Sequence, residues 1–203
     1  SDADERVIAR MMVGADTPAT PCEAMAPGAP VLELKTATVK GDSARTSLHA
    51  VDLTIHAHEI VGIAGVSGNG QSALARLVSG LAAPDSGELL ISGKPIHRFT
   101  PPVMQQAGVG RIPEDRHHDG IIGAMSVAEN LVIERLRDSD VQKYGFLQQN
   151  SIRSHAHALC KDYDVRGPGI DADARLLSGG NIQKLILARV FECMPDLILA
   201  NQP

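Results

Sequence analysis

The sequence predicts an α/β domain on three observations. An apolar run from Ile60 to Ala64 breaks into a glycine-rich turn and then a helix. Two strand-like stretches with alternating apolar residues precede it. Helical patterns fill the middle of the chain before a last apolar strand at Leu197 to Ala200. At 203 residues and 43% hydrophobic content the chain is long enough for one domain with a sizeable core, built from Leu, Ile, Val and Ala, since only 2% is aromatic.

In chain order, Glu5 to Val13 reads as a short helix, and residues 17–30, rich in Pro, Gly, Ala and Thr, read as a linker, so the domain starts near Val31. Val31 to Val39 and Arg45 to Ile55 read as an antiparallel pair of strands turned by Gly41-Asp42-Ser43. Ile60 to Ala64 reads as a buried strand, and Ala73 to Leu81 as a helix ended by Pro84. Gly87 to Ile91 and Val109 to Ile112 are further strands, with Thr100-Pro101 opening a short helix between them. Ser126 and Glu129 form a capping box for a helix running through Leu136, and Ser151 to Tyr163 forms a second helix. A third, Ile182 to Arg189, follows Leu177-Ser178-Gly179-Gly180-Asn181 and closes before Pro195.

The composition excludes several classes. A net charge of −5 with no basic run argues against nucleic acid as a partner, and no apolar run approaches a membrane span, so direct membrane insertion is not expected. Cys22, Cys160 and Cys193 lie far apart in ordinary settings, which fits a soluble protein in a reducing compartment. His56/His58, His117/His118 and His155/His157 have no second ligand cluster at metal spacing and read as solvated or structural.

The chemistry is carried by two glycine-rich helix starts. Gly65-Val66-Ser67-Gly68-Asn69-Gly70-Gln71-Ser72 follows the P-loop pattern G-x-x-x-x-G-K-[ST], except that Gln71 stands where the lysine belongs. Such a loop turns backbone N–H groups inward and hands an anion to a helix N-terminus, and the Ser72 hydroxyl suits a phosphate-bound Mg²⁺. Taken alone, it is also compatible with a plain connection between strand and helix. Ser178-Gly179-Gly180-Asn181 is a second site of the same kind, with a hydroxyl and backbone donors at a helix start.

Together the two motifs resemble the nucleotide-binding domain of ABC transporters. Leu177 to Gln183 matches that family's LSGGQ/LSGGN signature, Gly65 to Ser72 its Walker A loop, and Leu197 to Pro203 its Walker B strand. Ile112-Pro113-Glu114-Asp115-Arg116, Asp164 to Gly169 and the Asn-Gln-Pro ending are similar to the second of two fused domains in bacterial importers of nucleosides and simple sugars, the nucleoside importers more closely. On this likeness residues 1–30 are the end of a preceding domain and a connection. Residues 31–203 are then a P-loop NTPase domain with an antiparallel β subdomain and a helical subdomain over about 115–176, ending at the Walker B strand before the family's D-loop and switch histidine.

The resemblance implies ATP and Mg²⁺ as cofactors, a second nucleotide-binding domain and transmembrane permease subunits as partners, and a peripheral place on the cytoplasmic face of the membrane. Its departures imply a degenerate site. Gln71 replaces the Walker lysine, Asn201 the Mg²⁺-holding aspartate, Gln202 the catalytic glutamate, and Glu114 the Q-loop glutamine; Val39 lies near where an adenine-stacking ring is usual. Ser72 and Asn201 remain as weak metal ligands. Expected, then, is a chain that hydrolyses no ATP by itself but whose signature completes a partner's site. A non-hydrolytic regulatory module and a soluble ABC ATPase are the alternatives. A chromosome-type ATPase is disfavoured because only a modest helical insert, and no long coiled coil, separates the two motifs.

Overall fold

A computed structural model describes residues 25–41, 43–66 and 68–201. The expected helix at Glu5 to Val13 and most of the linker fall outside them, as do Ser67 and Gln202.

The first layer is an antiparallel sheet. Strands β1 (Pro30–Val39), β2 (Leu48–His56), β3 (Ser86–Ile91) and the short β4 (Lys94–Pro95) pair in the order β2-β1-β3-β4. β1 is central, so its apolar residues Leu32, Leu34, Ala37 and Val39 are buried. The connection into β2 is longer than expected: Ser43 caps a single 3₁₀ turn, Ala44–Thr46, where the second strand was expected to begin, and Thr46 bonds back to it. Against this sheet pack helix α1 (Gln71–Val78), through Ala73, Leu74, Leu77 and Val78, and α2 (Pro101–Gln106), through Met104. Thr100 precedes α2 without making a side-chain cap bond; Pro101 at the first helical position starts the helix by its fixed φ alone.

The second layer holds the helical subdomain. Helix α3 (Val127–Val132) starts at the predicted capping box, Ser126 Oγ accepting the Glu129 N–H and Glu129 accepting the Ser126 N–H. It passes into a 3₁₀ turn at Ile133–Arg135, so the expected single helix to Leu136 is two pieces. Strands β6 (Gln142–Lys143) and β7 (Phe146–Leu147) form a small hairpin that the sequence reading missed, turned by Tyr144 and Gly145 at φ 53° and 85°. Helices α4 (Gln149–Asp162) and α5 (Gly179–Glu192) follow, both starting earlier than expected. Ile152, Ala156 and Leu159 of α4 meet Ile182, Leu185 and Ile186 of α5 and Val127 and Leu131 of α3 in one core. Inside it the Asn130 carboxamide accepts the Ile122 N–H and donates to the Ile122, Met125 and Ser126 carbonyls, satisfying a fully buried polar group. Arg189 of α5 reaches across to the Gly120 and Asn130 carbonyls, while its Nε lies 3.0 Å from Glu134.

Between the layers runs the parallel pair β5 (Val109–Ile112) and β8 (Leu197–Ala200), in register Val109↔Leu197 through Ile112↔Ala200. Here one expectation fails. Ile60 to Ala64 joins no sheet: residues 59–66 are irregular, with Ile60 98% and Ile63 51% exposed. The parallel sheet is thus two strands in the described residues. An apolar run becomes a strand only when a sheet edge takes its N–H and C=O groups, and hydrophobic pattern alone does not supply one.

Candidate functional site

The first glycine-rich loop leads straight into a helix start. Gly68 and Gly70 both stand at φ +86°, a conformation that glycine adopts freely, and nothing lies within 4 Å of where a Gly68 side chain would begin. Gly70 is the N-cap of α1, and the first bond back is from Leu74 to the Gly70 carbonyl, so the N–H groups of Gln71, Ser72 and Ala73 have no partner within the helix. Ser72 is exposed at this helix start, as are Gly65, Val66 and Asn69 along the loop. The Gln71 side chain folds back over the loop: a methyl group on Gly65 would come within 2.6 Å of its Nε2. An amide therefore lies where the pattern puts a lysine.

The second helix start is more open still. Ser178 is the N-cap of α5 with φ −67° and ψ 155°, but its hydroxyl makes no cap bond to the backbone. Instead the Asn181 Nδ2 donates to Ser178 Oγ at 2.9 Å, while Asn181 Oδ1 accepts the Arg166 N–H at 2.8 Å. Those two bonds tie the helix start to the loop after α4, which Lys184 also grips through the Asp164 carboxylate and carbonyl. The Lys184 and Arg166 side chains bonded to it hold the Asp164 carboxyl below its usual pKa. Ile182 makes the first helical bond, to the Ser178 carbonyl, which leaves the N–H groups of Gly179, Gly180 and Asn181 without intrahelical partners; nothing lies within 4 Å of a side chain begun at Gly180. The loop after β5 closes on this helix as well, Arg116 Nη1 donating to Gln183 Oε1 at 3.1 Å. Neither the Asn181–Arg166 tie nor the approach of Arg116 has a signal in residue spacing, because both depend on how the loops fold back.

Glu114 and Asn201 meet. They follow the C-terminal ends of β5 and β8, the Asn201 N–H bonds the Ile112 carbonyl, and its Nδ2 lies 3.5 Å from Glu114 Oε2. Parallel register thus sets a carboxylate and an amide side by side at the strand ends, where open α/β sheets take their ligands. Among the described residues no group of three or more His, Cys, Asp or Glu side chains gathers as a metal site. Ser72 and Asn201, one hydroxyl and one amide, are too few and too weak to hold Mg²⁺ by themselves, and would serve only an ion that phosphate oxygens bring. His118 bonds Asp119, which raises its pKa, and His155 lies against Arg135 and Glu192; both stand in ordinary polar pairs. Cys160 and Cys193 are free and half-buried, and burial pushes both thiols up, away from reactivity. A groove of 860 Å³ between α2, the 3₁₀ turn after α3 and the end of α5 lies away from both glycine loops.

The family model for ABC transporters matches residues 48–203, a span that begins with β2 and includes both loops. The chain belongs to the ABC transporter family. Its fold agrees: the dimeric ATP-binding cassette MJ0796, in a post-hydrolysis state bound to ADP and Pi, superposes with a TM-score of 0.65 at 22% identity, over 83% of this chain and 72% of that one. Among curated relatives, the Nucleoside import ATP-binding protein NupA of Lactococcus lactis subsp. cremoris is 39% identical over the whole chain. The Glucose import ATP-binding protein TsgD13 of Haloferax volcanii is 42% identical, and the Guanosine import ATP-binding protein NupO of Bacillus subtilis 38%. This ABC chain spans 38–40% of the length of these three relatives. No helix among the described residues is long and apolar enough to cross a membrane.

Proposed function

We propose that this chain is the second nucleotide-binding domain of an importer for nucleosides or simple sugars, acting mainly through its signature helix. It would bind ATP with Mg²⁺ on the Gly65 to Ser72 loop without hydrolysing it, and with Ser178, Gly179 and Gly180 complete the site of a partner domain that has its own lysine and catalytic glutamate. Permease subunits in the membrane would hold the pair at its cytoplasmic face. The observation that carries the reading is the contrast between two helix starts. Both leave three backbone donors without intrahelical partners, but at α1 the Gln71 amide lies on the loop, whereas at α5 Asn181 takes the serine oxygen and nothing lies within 4 Å of a side chain begun at Gly180. Likeness over the full chain to nucleoside and glucose import proteins supports the substrate class.

Charge explains the division. Phosphoryl transfer is accelerated mostly by electrostatic stabilisation and a placed water, and Gln71, Asn201 and Gln202 remove the cation and two carboxylates that supply them in the family. A hydroxyl and backbone N–H groups need no charge. In the complete transporter, Ser178→Arg or Gly179→Asp should therefore abolish ATPase activity, whereas Ser72→Ala should reduce it far less. Equal losses would refute the division of labour, and full activity with a disrupted signature would refute the assignment. Alone, the chain should release no phosphate from MgATP; turnover sensitive to Ser72→Ala would overturn that expectation.

A further inference from the structure

We infer that Asp164 is a positioning residue for the start of α5: through Lys184 and the Arg166 N–H it sets the Asn181 side chain, and so keeps Ser178 from capping its own helix. The inference rests on the reading just proposed, in which a partner domain meets Ser178, and names what holds that serine ready.

The first observation concerns the backbone. Helix α4 ends in a Schellman turn, the Asp164 N–H bonding the Lys161 carbonyl at 3.3 Å and the Val165 N–H the Cys160 carbonyl at 2.8 Å. Such a turn needs a left-handed residue just past the helix, and glycine is the usual choice because it has no Cβ. Here an aspartate stands there, at φ 51°. A side chain kept at the cost of backbone strain points to a use for that side chain. Asp164 Oδ2 accepts Lys184 Nζ at 2.7 Å, the Asp164 carbonyl accepts the same ammonium at 2.9 Å, and Oδ1 accepts Arg166 Nε at 2.8 Å. Lys184 lies in the second turn of α5, so the carboxylate fastens the loop after α4 to the helix that Ser178 begins.

The second observation is a contrast between two helix starts of the same spacing. At Ser126-x-x-Glu129 the serine Oγ accepts the backbone N–H three residues on, at 3.2 Å. At Ser178-x-x-Asn181 it does not: the oxygen is taken at 2.9 Å by the Asn181 side chain, whose Oδ1 is held at 2.8 Å by the Arg166 N–H. A serine at an N-cap otherwise takes the backbone bond. The Arg166 N–H stands where Asn181 needs it because the loop is fastened two residues earlier, at Asp164. With this latch closed, the Asn181 N–H stays free beside those of Gly179 and Gly180, and the Ser178 hydroxyl proton is free to donate. With it open, Ser178 turns back onto the Asn181 N–H and one of the three backbone donors is lost. The partner domain's own loop holds its nucleotide, so the loss falls on the closed, reacting state and not on nucleotide binding.

The test uses the complete transporter, with ATPase rate followed against ATP concentration, and thermal unfolding of the nucleotide-free protein. Asp164→Gly removes the carboxylate yet suits the left-handed turn, so Tm should stay level or rise while kcat falls about 10-fold, the scale of one lost hydrogen-bond donor, with KM for ATP little changed. Asp164→Asn, which keeps one oxygen for Lys184 or Arg166, should recover part of the rate. Asn181→Ala should lower kcat by a similar factor, and the double variant Asp164→Gly with Asn181→Ala no further, because the aspartate acts through that side chain. An unchanged kcat in Asp164→Gly, beside abolished activity in Ser178→Arg, overturns the inference and leaves the signature reading standing. Losses that multiply in the double variant overturn it too, as does a kcat that falls only together with Tm, the mark of a structural residue. If Ser178→Arg is also silent, the signature reading fails and the inference with it.

Discussion

At the residue scale, single hydrogen bonds decide whether a polar group stabilises the fold or serves a ligand. Ser126 and Glu129 stabilise: each satisfies the other's backbone N–H, and those bonds, with the Ser126 hydroxyl, hold the Glu129 carboxyl below its usual pKa. Ser126→Ala should cost about 1 kcal/mol in denaturant unfolding. Because the folded pKa is the lower one, the Glu129 contribution is complete above the unfolded value of about 4.3 and is lost as pH falls through the folded value. The Tm gap between wild type and Glu129→Ala should therefore be wider at pH 7 than at pH 3. On the proposed function, Gln71 serves the ligand. Replacing it by lysine restores a charge to a cradle whose glycines are already in place, so ATP should raise the Tm of Gln71→Lys more than that of wild type. No shift with either residue at millimolar nucleotide would show the cradle to be unusable.

At the scale of elements, legibility followed how local the cause was. The capping box, the parallel strands at Val109 and Leu197 and the helix behind Ser178 were all readable, because caps, prolines and apolar periodicity act over a few residues. The helix starts behind both glycine loops were readable for the same reason. Ile60 to Ala64 was not: its residues are as apolar as those of β8, but a strand is a relation to a neighbour, and the sequence does not show which edges are open. The β6–β7 hairpin escaped for the opposite reason. Its turn uses Tyr144 at φ 53°, where a sequence reader looks for Asn, Asp or Gly. Core elements allow firmer numbers. Leu185 of α5 is fully buried among α3 and α4, so Leu185→Ala should cost about 2–5 kcal/mol in urea unfolding, more than any single cap.

At the scale of the whole molecule, two hydrophobic cores meet along one strand. The core of the antiparallel sheet, α1 and α2 includes Val109, and that of the helical subdomain includes Ile112, so β5 belongs to both. How the two cores would share a strand was not readable from the sequence, since residues of one core lie on both sides of the other in chain order. Arg189, buried and bonded to carbonyls of Gly120 and Asn130, pins the second core to the loop that leaves β5. Truncating it to Ala would strand two carbonyls and should cost roughly 3 kcal/mol. The two cores also set how the molecule breathes. Amide protons of α4 can reach solvent when the helical core opens alone, and those of β2 when the sheet opens alone. The protons bonded between β5 and β8 follow the sheet event, because Leu197 and Leu199 of half-exposed β8 pack against that core alone, so in native-state hydrogen exchange they should track those of β2 and not those of α4.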